Sequence, residues 1–99
     1  MEDNIELIVT SIKELTKKRR LVYINYEPAF ALYAAELRKF GIKDGESVRK
    51  EAYDSLIDDV LSKRATVRAM ALLKNKDYTT KGLEDKLRDG YYPDMCIDY

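Results

Sequence analysis

A long stretch without glycine or proline most constrains what this chain of 99 residues can fold into. Neither residue occurs between Val48 and Lys74, so nothing there interrupts helical backbone. The pattern predicts one long helix, or two helices that meet near Ser62, with Ser47 as the N-terminal cap. Apolar residues recur in the first half of the stretch at helical spacing, namely Ala52, Tyr53, Leu56, Ile57, Val60 and Leu61.

The second half of the stretch predicts close helix packing, because small residues lie in its apolar stripe, formed by Ala65, Ala69, Leu72 and Leu73. A further helix is predicted after it, with Thr79 or Thr80 as N-cap and Gly90 at its end. Leu83 and Leu87 would form its buried edge. Pro93 fits the first turn of a third helix, where its missing amide hydrogen costs nothing.

The first third of the chain has strand character instead. From Ile5 to Leu15, β-branched residues are dense and alternate between two faces, which predicts a half-buried strand. The segments LVYIN and PAFAL predict two more strands, joined by a short hairpin turn. Pro28 has no amide hydrogen to donate, so the third strand should lie at an edge. A short helix that ends at Gly41 and a loop would follow this three-stranded antiparallel meander.

Composition excludes several classes of protein. Lysine and arginine total 18 against 18 acidic residues, and zero net charge argues against a dedicated polyanion binder. There is no histidine, so the commonest general base and metal ligand is missing. The single cysteine, Cys96, is interpreted as a small buried hydrophobe. With no nucleotide-binding loop, secretory signal or membrane-spanning run, a cytoplasmic, non-enzymatic interaction module without a cofactor is predicted.

Basic residues are the remaining candidates for a binding surface. The predicted helices of the C-terminal part carry several, of which we select Arg64, Arg68, Lys74, Lys76, Lys81 and Arg88 as the predicted partner-binding set. The second choice is a charged turn after the first strand, formed by Lys17, Lys18, Arg19 and Arg20. On amphipathic helices such residues are also the ordinary solvated face, and a charged turn is an ordinary hairpin connection.

The order of residues from Ala65 to Tyr92, ATVRAMALLKNKDYTTKGLEDKLRDGYY, resembles a repeat of the RecX family, bacterial regulatory proteins of the RecA recombinase. The matching positions are Ala65, Arg68, Ala69, Leu72, Leu73, Asp77, Thr79, Leu83, Lys86, Leu87, Gly90 and Tyr91. The segments VYINYEPAFAL and LRKFGIKDGESV also resemble that family's strand–turn–strand element and the helix and loop after it. Two positions depart from the family pattern: Gly82 replaces the usual glutamate of a capping box, and Tyr26 replaces the hairpin glycine.

The resemblance implies an α+β, mostly α fold. Residues 1–46 would form the β meander and short helix, and residues 47–99 a helical region with one three-helix repeat whose third helix is truncated. The chain would then be a fragment of a longer regulator. It implies a non-enzymatic regulator of homologous recombination and the SOS response, which binds the RecA–DNA filament and inhibits RecA ATPase and strand exchange. No membrane and no small-molecule substrate would be involved.

Two alternatives stay open from the residues themselves. One is a small DNA-binding module of helix-turn-helix type, with the helix from Thr80 to Asp89 in the groove. Its basic residues are interleaved with Glu84, Asp85 and Asp89, which makes a poor surface for DNA. The other is a structural or protein-interaction domain that binds no nucleic acid.

Overall fold

The computed structural model describes residues 6–97. Ile5, where the predicted first strand begins, and Asp98 and Tyr99, at the end of the predicted third helix, lie outside the described residues. The described part joins an antiparallel sheet to a predominantly helical second half, so the predicted α+β, mostly α class is confirmed. The chain divides into two compact units between Tyr53 and Asp54.

The sheet contains the three predicted strands and one short strand that the sequence did not indicate. Strands β1 (Leu7–Glu14), β2 (Arg19–Ile24) and β3 (Glu27–Tyr33) form the meander, and β4 (Ser47–Val48) pairs with β1. The antiparallel order is β3-β2-β1-β4, which confirms that β3 lies at an edge. The prediction that Ser47 caps a helix is wrong, because Ser47 pairs with Ile8 of β1 and the helix begins at Lys50.

Side chains hold the tip of the β2–β3 hairpin against β1. Asn25 and Tyr26 have positive φ angles of 51° and 70°, as a type I′ turn requires. The Asn25 side chain accepts a hydrogen bond from the Ile8 amide at 3.2 Å and donates one to the Glu6 carbonyl at 3.1 Å. Thr10, at a register shift in β1, accepts a 2.9 Å bond from the Tyr26 amide. These bonds satisfy turn groups that a bare hairpin would leave to water.

The short helix α1 (Ala34–Lys39) is the one that the sequence predicts to end at Gly41. The Glu36 carboxylate accepts a 2.8 Å hydrogen bond from the Tyr33 amide at the helix start. Gly41 has a φ of 66°, and the Ile42 amide donates to the Leu37 carbonyl at 2.8 Å. This is the left-handed C-terminal arrangement for which glycine is favoured.

Helical backbone is continuous from Lys50 to Asn75, so the one-helix alternative is confirmed, with an irregularity. Helix α2 (Lys50–Ser55) passes into a π-helical segment (Leu56–Leu61), and α3 (Ser62–Asn75) continues from it. The Ser62 amide donates to the carbonyl of Ile57, five residues earlier. The wider turn places both Leu56 and Leu61 in the core, at most 1% exposed.

Three helices pack together in the C-terminal unit. Helices α4 (Thr80–Asp89) and α5 (Asp94–Ile97) both contact α3. Their shared core consists of Ala69, Leu83, Leu87 and Ile97, with Leu72, Tyr78 and Tyr92 partly buried against it. The predicted packing of another helix at the alanines is confirmed for Ala69, which is 3% exposed in this shared core, and Ala65 is also buried at 1% exposure. Leu73 is an exception, because it lies exposed to solvent.

The start of α4 agrees with the sequence pattern, and its end differs in detail. Of the two candidate caps, Thr79 is the cap, since its hydroxyl accepts a 3.0 Å bond from the Gly82 amide. At the other end Gly90 is the C-cap, but the residue with a positive φ, of 65°, is Tyr91. Gly90 serves close packing instead, because a Cβ there would lie 3.2 Å from the Tyr92 ring.

Candidate partner-binding surface

All the charged residues of helix α3 are basic. Its 14 residues include four basic ones, Lys63, Arg64, Arg68 and Lys74, and no acidic one. Lys63, Arg68 and Lys74 are exposed, and Arg64 is half-buried. Three of the six residues in the predicted partner-binding set therefore lie on this helix, together with Lys63, which was not selected.

An apolar row lies on α3 opposite its buried side. Val67 is 66% exposed and Met70 60%, although Ala65 and Ala69 of the same helix are buried. Val67, Met70, Ala71 and Lys74 line a shallow depression of about 260 Å³. Spacings of three and four residues place these four side chains on one helix face. We call Lys63, Val67, Met70, Ala71 and Lys74 the outer face of α3.

The predicted binding residues on α4 are instead held by acidic neighbours. Lys81 Nζ lies 3.5 Å from Asp85, four residues later on the same helix. Arg88 lies 3.5 Å from Asp85 and donates a 3.0 Å hydrogen bond from Nε to Asp94. The pKa of Arg88 is raised chiefly by that hydrogen bond, so the guanidinium stays protonated. Lys81 and Arg88 therefore each have a carboxylate within 3.5 Å, whereas α3 has no acidic residue of its own.

Lys76 lies just after α3 and has an aromatic neighbour. Its Nζ is 5.5 Å from the centre of the Tyr78 ring, within the range of a cation–π contact. Tyr78 itself packs against the core that α3 shares with α4. Lys76 thus keeps its exposed charge near the C-terminal end of the outer face of α3.

One of the four residues of the second-choice basic turn, Arg20, stabilises the turn itself by hydrogen bonds to its backbone. Arg20 Nη1 donates to the carbonyls of Thr16, Lys17 and Arg19 at 2.9, 3.0 and 3.1 Å. The Thr16 hydroxyl accepts bonds from the amides of Lys18 and Arg19. The predicted turn is also shorter than expected, since Arg19 and Arg20 begin β2. Lys17 and Lys18 remain exposed at its tip.

Cys96 lies buried in the C-terminal unit, as predicted from its isolation in the sequence. The side chain is 8% exposed and forms no disulfide. Burial raises the pKa of its thiol, and a 3.4 Å hydrogen bond from the Ser62 hydroxyl acts in the opposite direction. The thiol also lies 3.9 Å from the Ile57 carbonyl in the π-helical segment. A protonated, buried thiol is a poor nucleophile.

Within residues 6–97, no three acidic or cysteine side chains come together as a metal would need. Over the same range, none of the helices has the length and apolar character needed to cross a membrane.

The sequence prediction missed the apolar half of the surface. Val67, Met70 and Ala71 were not selected, because the buried stripe of α3 already accounted for its apolar residues. Two signals in the sequence could have found them. The helix has a second row of apolar residues at helical spacing, and it contains no acidic residue over 14 positions.

Comparisons with known proteins identify proteins that are similar to this chain. No protein-family model matches the chain. The chain is 33% identical, over 82 residues and 83% of its length, to the regulatory protein RecX of Caldanaerobacter subterraneus subsp. tengcongensis. The crystal structure of a regulatory protein RecX covers 94% of the chain at 17% identity, with a TM-score of 0.48. The chain spans less than half of each, 42% of the first and 46% of the second.

Proposed function

Because the chain belongs to the RecX family, we propose that it is a non-enzymatic regulator of homologous recombination that binds the RecA–DNA filament and lowers RecA ATPase and strand-exchange activity. The observation that carries the proposal is the 33% identity to a regulatory protein RecX over 83% of the chain. The name of that relative supports a regulatory protein. The filament as partner is our inference from the family resemblance.

The charge distribution of the C-terminal unit supports binding through α3. Arg64, Arg68 and Lys74 lie on a helix without acidic residues, and Lys76 follows directly. A nucleoprotein filament carries many negative groups, among them DNA phosphates, which attract such a helix. We therefore assign the main contact to these four residues. Lys81 and Arg88 contribute less, because Asp85 and Asp94 neutralise them.

Direct recognition of duplex DNA by α4 is the less favoured alternative. A recognition helix places basic and hydrogen-bonding side chains toward base edges and phosphates. In α4 the side chains of Lys81 and Arg88 instead form ion pairs with Asp85. The α4 surface also carries Glu84 and Asp89, which phosphates would repel.

The first test measures filament binding and inhibition together. The chain is titrated into RecA assembled on single-stranded DNA, with fluorescence anisotropy for binding and phosphate release for ATPase. We expect saturable binding but inhibition weaker, by roughly 10²-fold in concentration, than that of the full RecX of the Caldanaerobacter relative. The reason is avidity, since a protein that bridges several filament subunits holds more tightly than one contact can.

Two results would contradict this proposal in different ways. If the chain did not bind the filament at physiological salt, the filament would not be its partner. If the chain inhibited ATPase as strongly as the full-length relative, the avidity argument would be wrong although the partner would stand. Tight, salt-dependent binding to naked duplex DNA without RecA would favour the DNA-binding alternative.

A further inference from the structure

We propose that the outer face of α3 binds an acidic protein segment that also carries apolar side chains. The proposal deepens the proposed function, because it gives the chemistry of the partner surface, and it rests on that function for the identity of the partner. Its centre is Val67, Met70 and Ala71, and its two ends are Lys63 and Lys74.

The apolar centre is not explained by the packing of the C-terminal unit. Helix α3 already buries Ala69 in the core that it shares with α4 and α5, and Ala65 is buried as well. A helix with one buried side normally carries polar residues on the other. Here Val67 and Met70 remain 66% and 60% exposed, on the side away from the core. An exposed apolar row rimmed by charge is a common property of protein interaction sites.

The charges around the row determine the kind of partner. Lys63 and Lys74 are 11 residues apart, which is about 16 Å along a helix axis at 1.5 Å per residue. No acidic residue lies on α3 between them or anywhere else on the helix. A segment with carboxylates about three helical turns apart and apolar side chains between them would complement both features.

A nucleic acid would fit this face less well. A duplex backbone presents phosphates at close, regular intervals, and its binding site needs polar or basic groups along the whole contact. Val67 and Met70 would then face phosphates and gain nothing from burial. Against an apolar side chain, however, the flexible thioether of Met70 can adapt its shape. The observations therefore favour an acidic protein segment over DNA.

The first arm of the test uses RecA filaments on single-stranded DNA and four variants of the chain. Met70→Glu places a charge in the apolar centre, and Met95→Glu is its matched control, since Met95 on α5 is also 60% exposed. Lys74→Glu reverses a charge at the end of the face, and Lys86→Glu is its control on the exposed surface of α4. All four must show the circular dichroism of the parent chain.

We expect Met70→Glu and Lys74→Glu each to weaken filament binding by roughly tenfold or more, since each removes a central contact or a complementary charge. The two control variants should bind within about twofold of the parent. Equal losses in Met70→Glu and Met95→Glu would overturn the proposal, because the effect would then not depend on the outer face of α3.

The second arm needs no RecA, so it separates this proposal from the proposed function. One probe is a synthetic peptide in which glutamate and leucine recur at helical spacing. The other is a single-stranded oligonucleotide of equal net charge. We expect the peptide to shift the methyl NMR signals of Val67, Met70 and Ala71, with affinity about tenfold above that of the oligonucleotide. The proposal would be overturned if the oligonucleotide bound more tightly than the peptide, or if the peptide shifted NMR signals of residues outside the outer face of α3. If the parent chain did not bind the filament but the peptide bound to the outer face of α3 as expected, only the proposed function would be overturned.

Discussion

The hairpin residue Tyr26 lies in a backbone conformation that its side chain does not favour. Its φ is 70° and its side chain is 85% exposed, so little packing compensates for the strain. A left-handed conformation costs a residue other than glycine roughly 1–2 kcal/mol. Tyr26→Gly would produce Asn-Gly, the preferred pair for a type I′ turn. We expect the free energy of unfolding to rise by about 1 kcal/mol in urea denaturation.

The matched control for this prediction is Tyr26→Ala. Alanine also removes the exposed ring but keeps the Cβ that disfavours positive φ, so we expect no comparable gain. Equal stabilisation by both substitutions would show that the ring, and not the backbone angle, is the cause. Asn25 is left unchanged in both variants, because its side chain bonds to Ile8 and Glu6.

The buried thiol of Cys96 gives the stability of the chain a pH dependence. Burial raises its pKa in the folded state, whereas the thiol of an unfolded chain has a pKa of about 8.5. Above that pH the unfolded state loses the proton more readily, so unfolding is favoured. The contribution of the thiol is complete below the unfolded pKa and is lost as pH rises through the folded pKa.

Cys96→Ala should therefore flatten the fall in stability on the alkaline side. We expect its free energy of unfolding to be lower than that of the parent near neutral pH, because packing is lost. The difference should shrink as the pH rises above about 8.5. Urea denaturation of both chains across this range measures the two slopes. Parallel curves would show that Cys96 does not contribute to the pH dependence.

At the scale of elements, the start of α4 is stabilised by a cap and weakened by a glycine. The Thr79 hydroxyl bonds to the Gly82 amide, yet glycine in a helix costs roughly 0.5–1 kcal/mol relative to alanine. A Cβ on Gly82 would lie 3.1 Å from the Thr79 hydroxyl oxygen. Thr79 is exposed, so its side chain can shift by the few tenths of an ångström required. We expect Gly82→Ala to stabilise the chain by about 0.5 kcal/mol.

A double-mutant cycle with Thr79→Ala checks that reasoning. Thr79→Ala alone should cost about 1 kcal/mol of unfolding free energy, as the loss of an N-cap does. In that background no hydroxyl crowds the new methyl group, so Gly82→Ala should gain at least as much as in the parent chain. A gain that appeared only in the Thr79→Ala background would mean that the methyl group disrupts the cap.

At the scale of the whole molecule, the sequence predicted the elements that depend on local pattern. Alternating β-branched residues predicted the first strand, the segments LVYIN and PAFAL predicted the next two, and Gly41 predicted the end of α1. Strand β4 could not be predicted, because two residues carry no periodic signal and its pairing with β1 depends on contacts distant in sequence. The π-helical segment was missed because Leu56 and Leu61 each belong to a different series with the i, i+4 spacing of an ordinary helix, Leu56 with Val60 and Leu61 with Ile57.

The candidate surface was predictable only in part, and the reason is electrostatic. Sequence alone treats six basic residues as equivalent, but the structure pairs Lys81 and Arg88 with carboxylates, whereas α3 contains no acidic residue of its own. The ion pair between Arg88 and Asp94 joins two helices across a turn, so no simple helical spacing indicates it. The exposure of Met70 depends on which side of α3 faces the core, which becomes known only when α4 and α5 are placed.

The π-helical segment has a consequence for comparing this chain with its relatives position by position. A π turn holds one residue more than an α turn, so a relative with an uninterrupted α-helix here would align with one residue fewer within Leu56–Leu61. An ungapped alignment would shift the positions on one side of the segment by about 100° around the helix axis. Functional positions transferred across it would then fall on the wrong side of the helix. A single-residue gap within the segment restores the correspondence.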